Sequence, residues 1–270
     1  MSYKFILPSV LSVFVLSSCM QRMYFPDRAN VMGFKEAHEA KITASIKPQS
    51  DSVPQVSPAV DIAFAPVNHI GIFGSYRSTL NRTISEDVDY LYTKQIGGTF
   101  NGHRFEGGAG YFTPFGRIGD MEILAGIGEG TMQRVGVALP DYNYNSKYFR
   151  FFIQPAAGFS NDVFSLMGGF RIAFNHYYDF QSANPDLRYD IGISNHPADV
   201  TGQLLGFFEP FINMEVGYKY IKFDFQTGAT AQFTGVGVSG NLPAYISLGA
   251  TFNYAPRFFN KEKKSNKKEY

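Results

Sequence analysis

The stretch that decides the fold is Tyr220-Ile-Lys-Phe-Asp-Phe-Gln-Thr-Gly-Ala-Thr-Ala-Gln-Phe-Thr234, in which apolar and polar residues alternate. Ile221 and Phe223 fall on one face, and Lys222 and Asp224 fall on the other. A period of two predicts a β-strand with one apolar and one polar face. The stretch is long enough to cross a hydrocarbon core as a tilted strand, which takes about 9–11 residues. Strands of soluble domains usually have about 5–6.

The same alternation recurs along the chain and predicts ten strands. They lie near residues 39–47, 55–65, 69–79, 103–113, 120–132, 148–159, 163–177, 205–217, 220–234 and 244–255. Short connections at 66–68, 115–118, 160–162 and 218–219 alternate strictly with longer loops at 80–102, 133–147, 178–204 and 235–243. Outer-membrane barrels have such short periplasmic turns and long outer loops.

The predicted fold is therefore all-β, an antiparallel up-and-down β-barrel of about ten strands. The number falls to eight if the first two strands pair outside the barrel. An even number of strands would put both ends of the domain on the periplasmic side. Strand-interior glycines such as Gly107, Gly108, Gly168 and Gly169 fit a tightly curved sheet with a narrow lumen.

Composition agrees with a sheet that does not face water. The chain has 27 Phe, 17 Tyr and no Trp, and 16% of its residues are aromatic against 17% charged. A soluble domain would have to bury these rings, whereas a membrane barrel can turn them toward lipid. The net charge of +1 gives no basic footprint for nucleic acid. One cysteine allows neither a disulfide nor a thiolate metal site within the chain.

Charged residues on the polar faces predict a network inside the barrel. Unpaired charges are costly there, because a barrel of eight to ten strands is nearly filled by its own side chains. The network is either a structural plug of salt bridges or a polar ion path. The predicted lumen charges are Glu106, Arg150, Arg171, Glu209, Glu215, Lys222 and Asp224.

The N-terminus has the features of a removable signal, with Lys4 before an apolar run from Phe5 to Leu16. Its end, Leu16-Ser-Ser-Cys19, resembles the bacterial lipobox. The resemblance implies cleavage before Cys19, diacylglycerol on its sulfur and acylation of its new amine. We expect no other cofactor. The predicted parts are a signal peptide (1–18), a lipidated linker (19–37), a β-barrel (38–256) and a basic disordered tail (257–270).

The last strand carries Ser247, Gly249, Phe252 and Tyr254. This spacing resembles the assembly signal of outer-membrane barrels, although there the aromatic residue usually ends the chain. This resemblance implies the barrel-assembly machinery as a partner, and the lipobox implies the lipoprotein-processing machinery. We also expect contact with outer-membrane lipids.

Five histidines, His38, His69, His103, His176 and His196, show no metal-pair spacing, so we predict no metal site. His103 and His176 fall near outer strand ends, and Asp179 and Ser182 lie close to His176 in sequence. Barrel lipases place catalytic groups at such ends. The apolar face that carries His176 argues against a lumen site, and we predict no catalytic residue.

The order of lipobox, Tyr24-Phe25-Pro26 and strands such as Tyr148-Phe-Arg-Phe-Phe-Ile-Gln-Pro155 resembles uncharacterised lipoproteins of Bacteroidota-type bacteria. The resemblance implies an envelope barrel and supplies no activity. In that group, acidic residues after the cysteine accompany surface display. Their absence here predicts an outer-membrane anchor that faces the periplasm.

Three functions remain open at this stage. The first is a transmembrane barrel with a structural, adhesive or small-channel role and no enzymatic activity. The second is a periplasm-facing lipoprotein whose soluble barrel binds an apolar ligand, with the apolar stripes pointing inward. The third is a barrel enzyme that acts on envelope lipids.

Overall fold

The computed structural model describes residues 24, 26–50, 54–88, 94–116, 118–136, 143–182, 201–234 and 244–259. Antiparallel strands make up nearly all of this part of the chain. The strands are β1 (Ala40–Ser50), β2 (Pro54–Val67), β3 (Ile70–Val88), β4 (Lys94–Phe115), β5 (Gly119–Gly136), β6 (Tyr144–Ser160), β7 (Phe164–Ser182), β8 (Leu204–Tyr218), β9 (Ile221–Ala229), β10 (Ala231–Thr234) and β11 (Ala244–Tyr254).

The strands close into one barrel. Consecutive strands pair from β1 to β8, β8 pairs with β9, β9 with β11, and β11 with β1. A break at Thr230 separates β9 from the short β10, which pairs with the start of β8, so the two share one position in the barrel. The predicted antiparallel up-and-down barrel of ten strands is confirmed. The first two strands belong to it, because β1 bonds to both β2 and β11.

The two ends of the barrel differ. Val67–Ile70, Phe115–Gly119, Ser160–Phe164 and Tyr218–Ile221 connect strands at one end, here called the short-turn end, where β1 starts and β11 stops. The opposite end is called the long-loop end.

The loops at the long-loop end are not all long, so the strict alternation predicted from the sequence is wrong. β3 and β4 remain paired as far as Val88 and Lys94, which converts most of the predicted loop 80–102 into sheet. A register shift between Thr79 and Arg82 interrupts the alternation there, so the sequence pattern fades before the strand ends. β1 and β2 also stay paired as far as Ser50 and Pro54.

The barrel is polar inside and apolar outside. On β6, the side chains of Arg150 and Gln154 are fully buried, whereas Phe151 and Ile153 on the opposite face are 40% and 57% exposed. Large apolar residues are exposed on the outer face of strands all around the barrel. This arrangement is the reverse of a water-soluble fold, in which apolar side chains face the core.

Glycine at some strand positions leaves room for neighbouring backbone and for aromatic rings that pack inside the barrel. A Cβ at Gly108 would lie 2.7 Å from the Cα of Gly126 and 2.8 Å from Cζ of Phe73, and still closer to the carbonyl oxygen of Ala125. Gly168, which is also inside a strand, has no atom within 4 Å of such a Cβ.

We therefore expect Gly108→Ala to destabilise the barrel by about 1–3 kcal/mol, the usual cost of overpacking. Urea titration of the folded fraction in detergent micelles measures the change. Gly168→Ala is the matched control and should cost less than about 1 kcal/mol. Equal losses for the two variants would contradict the close packing at Gly108.

A single helical turn at 256–259 follows β11. Within the described ranges, no helix has the length and apolar character needed to cross a membrane.

Candidate functional site

The lumen contains the polypeptide that precedes β1. Tyr24 and Arg28 are 1% and 3% exposed, and Met32 and Phe34 are 2% and 3% exposed. Residues 19–37 are predicted to be a linker, whereas the described part of this range lies inside the barrel as a plug. We call residues 24–37 the plug, of which Phe25 lies outside the described residues. The plug forms no strand, so side chains of the barrel wall must satisfy its backbone.

At the short-turn end, a buried carboxylate holds the plug. Glu122 on β5 accepts hydrogen bonds from the backbone N–H groups of Met32 and Gly33, at 3.1 and 3.0 Å. Lys35 donates from Nζ to the carbonyl oxygen of Ser160 at 2.7 Å. The positive φ of 61° at Gly33 bends the chain between these contacts.

Glu39, the residue before β1, ties this end of the plug to the C-terminal turn. Its Oε1 accepts from the backbone N–H groups of Lys35 and Glu36, each at 2.9 Å, and pairs with the Arg257 guanidinium. Burial raises the pKa of the Glu39 carboxyl above its ordinary value, and Arg257 opposes that shift. Glu39, just before β1, and Arg257, just after β11, therefore fix the plug at the short-turn end.

Halfway along the lumen, two glutamine side chains act as substitute strand partners. Gln226 on β9 accepts from the N–H of Ala29 at 2.5 Å and donates to its carbonyl oxygen at 3.1 Å. Gln154 on β6 donates to the carbonyl oxygen of Asn30. Arg77 on β3 donates to the carbonyl oxygen of Arg28 at 2.8 Å. These contacts fix the plug between distant parts of the wall.

Arg28 links two carboxylates on different strands. Its Nε lies 2.8 Å from Asp61 on β2, and its two Nη atoms bond to the carboxylate of Asp224 on β9. Arg77 also pairs with Asp61, at 2.8 Å. All four side chains are at least nine-tenths buried. A desolvated guanidinium held by carboxylates is stable only because each charge keeps its partner.

Toward the long-loop end, the plug contacts a larger charge network. Asp27 pairs with Lys47 on β1 and, at 3.2 Å, with Arg104 on β4. The hydroxyl of Tyr24 donates to Glu209 and accepts from Arg150 at 2.9 Å. The Tyr24 ring stacks on a ring of the wall, that of Phe207, with centroids 4.3 Å apart.

The structure places all seven predicted lumen charges inside the barrel, in three groups. Glu106 and Glu209 bond to Arg150 at 3.0 and 2.8 Å and lie 3.7 and 3.8 Å from Arg171. Asp224 pairs with the plug through Arg28. Near the short-turn end, Glu215 pairs with Lys41 and lies 3.9 Å from Lys222.

Sequence reasoning missed several lumen groups. The missed charged residues are Asp27, Arg28, Lys41, Lys47, Asp61, Arg77, Arg104, Asp120, Glu122 and Arg134. Alternation could have found those on strands, since Lys41 and Lys47 alternate with Ile42 and Ile46, and Arg104 shares a face with Glu106. No pattern marks Arg28, because the plug has no periodicity.

In the described lumen, the cavity next to Asp27 is small. A cavity of about 20 Å³ lies there, lined by Asp27, Arg77, Arg104, Met132 and Tyr148 among others. That volume is room for about one water molecule.

The other predicted sites have mixed placements. In β11, Ser247 faces the lumen, Phe252 and Tyr254 face outward, and Gly249 pairs with Ser45 of β1 at the closing seam. Their role as an assembly signal stays a prediction. Cys19, His196 and the tail from residue 260 onward lie outside the described residues.

The histidines do not assemble a catalytic group in the described part of the chain. His103 is exposed, with Nδ1 3.1 Å from Thr131 Oγ1, and His176 is exposed on the outer face. Asp179 lies 3.4 Å from Lys147. Across the described ranges, no group of three or more His, Cys, Asp or Glu side chains could hold a metal ion.

No family model matches the sequence, and no curated protein is similar to it. Among solved structures, this chain is similar to Ail, the attachment invasion locus protein of Yersinia pestis. The similarity covers 81% of this chain and 99% of that chain, with 10% identity and a TM-score of 0.32. A similarity of this size gives no information about the role of this chain.

Proposed function

We propose that this chain is an outer-membrane barrel with a plugged lumen, and that its role is structural or adhesive. The observation that carries the proposal is the reversed polarity of the barrel. Ile127 and Ile212 are 59% and 52% exposed in the middle of their strands, while Arg150 and Arg171 are fully buried. Such a surface is stable in lipid, which accepts apolar side chains from an outward-facing band of about 25 Å.

The lumen argues against the two alternatives that require space inside. A small channel needs a continuous water-filled path, and the plug bonds across the lumen to strands on several sides. A soluble carrier for an apolar ligand needs an apolar cavity of about 300–1,000 Å³. The described lumen is instead lined by ion pairs and occupied by the plug.

The long-loop end favours display of sheet outside the membrane. β3 and β4 have 19 and 22 residues, and β7 has 19, whereas β1 has 11. About 9–11 residues suffice to cross the membrane, so the longer strands project beyond it. An antiparallel β surface held above the bilayer suits adhesion to another cell or molecule.

The test uses Cys19→Ala protein exported with a cleavable signal peptide. We expect it to remain in urea-washed membranes and to migrate faster on gels before boiling than after, because the barrel itself is inserted. Gel mobility with and without boiling measures this, and the unmodified chain is the control. Release of Cys19→Ala protein as a soluble species would contradict an inserted barrel and would favour a lipid-tethered soluble domain.

A further inference from the structure

We propose that the N-terminal end of the plug, at Tyr24, faces the long-loop end and therefore the cell surface, whereas the start of β1 and the turn at 256–259 face the periplasm. The proposal rests on the proposed function, since it requires a barrel that spans the outer membrane. It reverses the sequence-based expectation that the anchor faces the periplasm.

The contacts of the plug rise steadily along the barrel from β1 toward the N-terminus. Lys35 bonds to Ser160, the last residue of β6 at the short-turn end. Asn30 bonds to Gln154, farther up the same strand, and Tyr24 bonds to Arg150 beyond it. The plug therefore follows β6 upward from the short-turn end.

The contacts of Tyr24 with β8 place it at the same position along the barrel axis. Phe207, which stacks on Tyr24, is the fourth residue of β8 from the long-loop end. Glu209, which accepts from the Tyr24 hydroxyl, is the sixth. Two independent strands thus place Tyr24 in the long-loop half of the barrel.

Chain length excludes a return to the short-turn end. Arg150 and Ser160 are separated by about 33 Å along their strand, or about 25 Å along the barrel axis at a tilt of about 40°. Five residue steps lead from Cys19 to Tyr24, and fully extended they reach about 17 Å. The return path would also have to pass a lumen that the plug already fills. Arg150 lies six residues from Tyr144 at the long-loop end of β6, about 20 Å along the strand or about 15 Å along the axis, so this end is within reach.

The two described ends of the chain, Tyr24 and the turn at 256–259, consequently face opposite ends of the barrel. β11 ends at the short-turn end, where the turn at 256–259 is held by the pair between Arg257 and Glu39. The plug adds one passage through the barrel to the ten strands, which separates the ends. An even number of strands alone would have kept them together.

Epitope insertion tests this arrangement in the full chain. The same short epitope is placed between Met20 and Gln21 in one variant and after Lys263 in the matched control. Antibody binding is measured on intact cells and on permeabilised cells, with denatured blots to normalise for expression. We expect the N-terminal epitope to be detected on intact cells and the C-terminal epitope only after permeabilisation.

Two outcomes overturn the proposal. An N-terminal epitope detected only after permeabilisation would place the N-terminus in the periplasm. Detection of both epitopes on intact cells would place the termini on one face. The heat-dependent mobility shift is recorded for each variant, so that loss of the shift reports failure of the inserted barrel. If the mobility shift is retained and the N-terminal epitope is hidden on intact cells, the proposed direction of the plug is wrong and the proposed inserted barrel still stands.

Discussion

Arg28→Met is expected to destabilise the folded barrel by about 3–5 kcal/mol, the cost of removing one partner from a buried ion pair. The methionine fills similar space but leaves the Asp224 carboxylate, whose ion pair in the described lumen is with Arg28, without a counter-charge. Asp61 keeps Arg77 at 2.8 Å, so most of the loss should arise at Asp224. Urea titration of the folded fraction in micelles, read as the unboiled mobility, measures the change in unfolding free energy.

Two further variants separate charge from packing. Lys147→Met removes a cation whose side chain is 43% exposed and whose partner Asp179 is 31% exposed, and we expect a loss below about 1 kcal/mol. Arg28→Met combined with Asp224→Asn removes the stranded charge and should recover part of the stability. If Arg28→Met and Lys147→Met cost the same, or if the double variant recovers nothing, the buried pair is not what holds the plug.

The barrel could be predicted from the sequence because strand alternation is a local property. Phe149, Phe151 and Ile153 mark the outward-facing side of β6 within five residues, and the buried Arg150 marks the other side. The barrel followed from the number and length of the predicted strands without any knowledge of contacts. Prediction failed near Thr79, where the register shift moves the pattern out of phase.

The plug could not be predicted, because nothing local specifies it. Its partners are distant in sequence, such as Arg28 and Asp224 with a separation of 196 residues. It has no period, since its backbone bonds to side chains of the wall instead of a neighbouring strand. A lumen lined by charges can bind a segment that has charges of both signs, such as Asp27-Arg28-Ala29-Asn30. The charged groups of the wall come together only when the barrel is closed, so the sequence alone does not show this match.

The predicted lumen residues contain more carboxylates than cations, which indicated that a further cation lies in the lumen. The predicted lumen set contains the carboxylates of Glu106, Glu209, Glu215 and Asp224 and only three cations. A buried carboxylate without a partner is costly, so the set required a cation from elsewhere in the chain. Arg28 supplies it to Asp224, and its position before β1 is what turns a linker into a plug.

Replacing residues 26–34 with a Gly-Ser sequence of equal length is expected to open an ion path through the barrel. The plug contacts the walls through Lys47, Asp61, Arg77, Arg104, Glu122, Gln154, Glu209 and Gln226, which lie on eight different strands. The replacement removes the ion pairs that Asp27 and Arg28 make with Lys47, Arg104, Asp61 and Asp224, together with the buried side chains of Met32 and Phe34. The remaining backbone hydrogen bonds then hold a thinner segment in a lumen lined by charged groups, which water enters readily. Single-channel recording in planar bilayers should show discrete current steps that the parent protein lacks.

The matched control replaces residues 261–269 with the same Gly-Ser sequence, which changes an equal length of chain beyond the turn at 256–259 and should leave the bilayer silent. Only variants that retain the heat-dependent mobility shift are recorded, so that current cannot arise from unfolded protein. A folded plug variant without current would mean that the ion pairs of Glu106 and Glu209 with Arg150 close the lumen unaided. The plug would then serve to fix the N-terminus, and blocking ions would be the work of the wall alone.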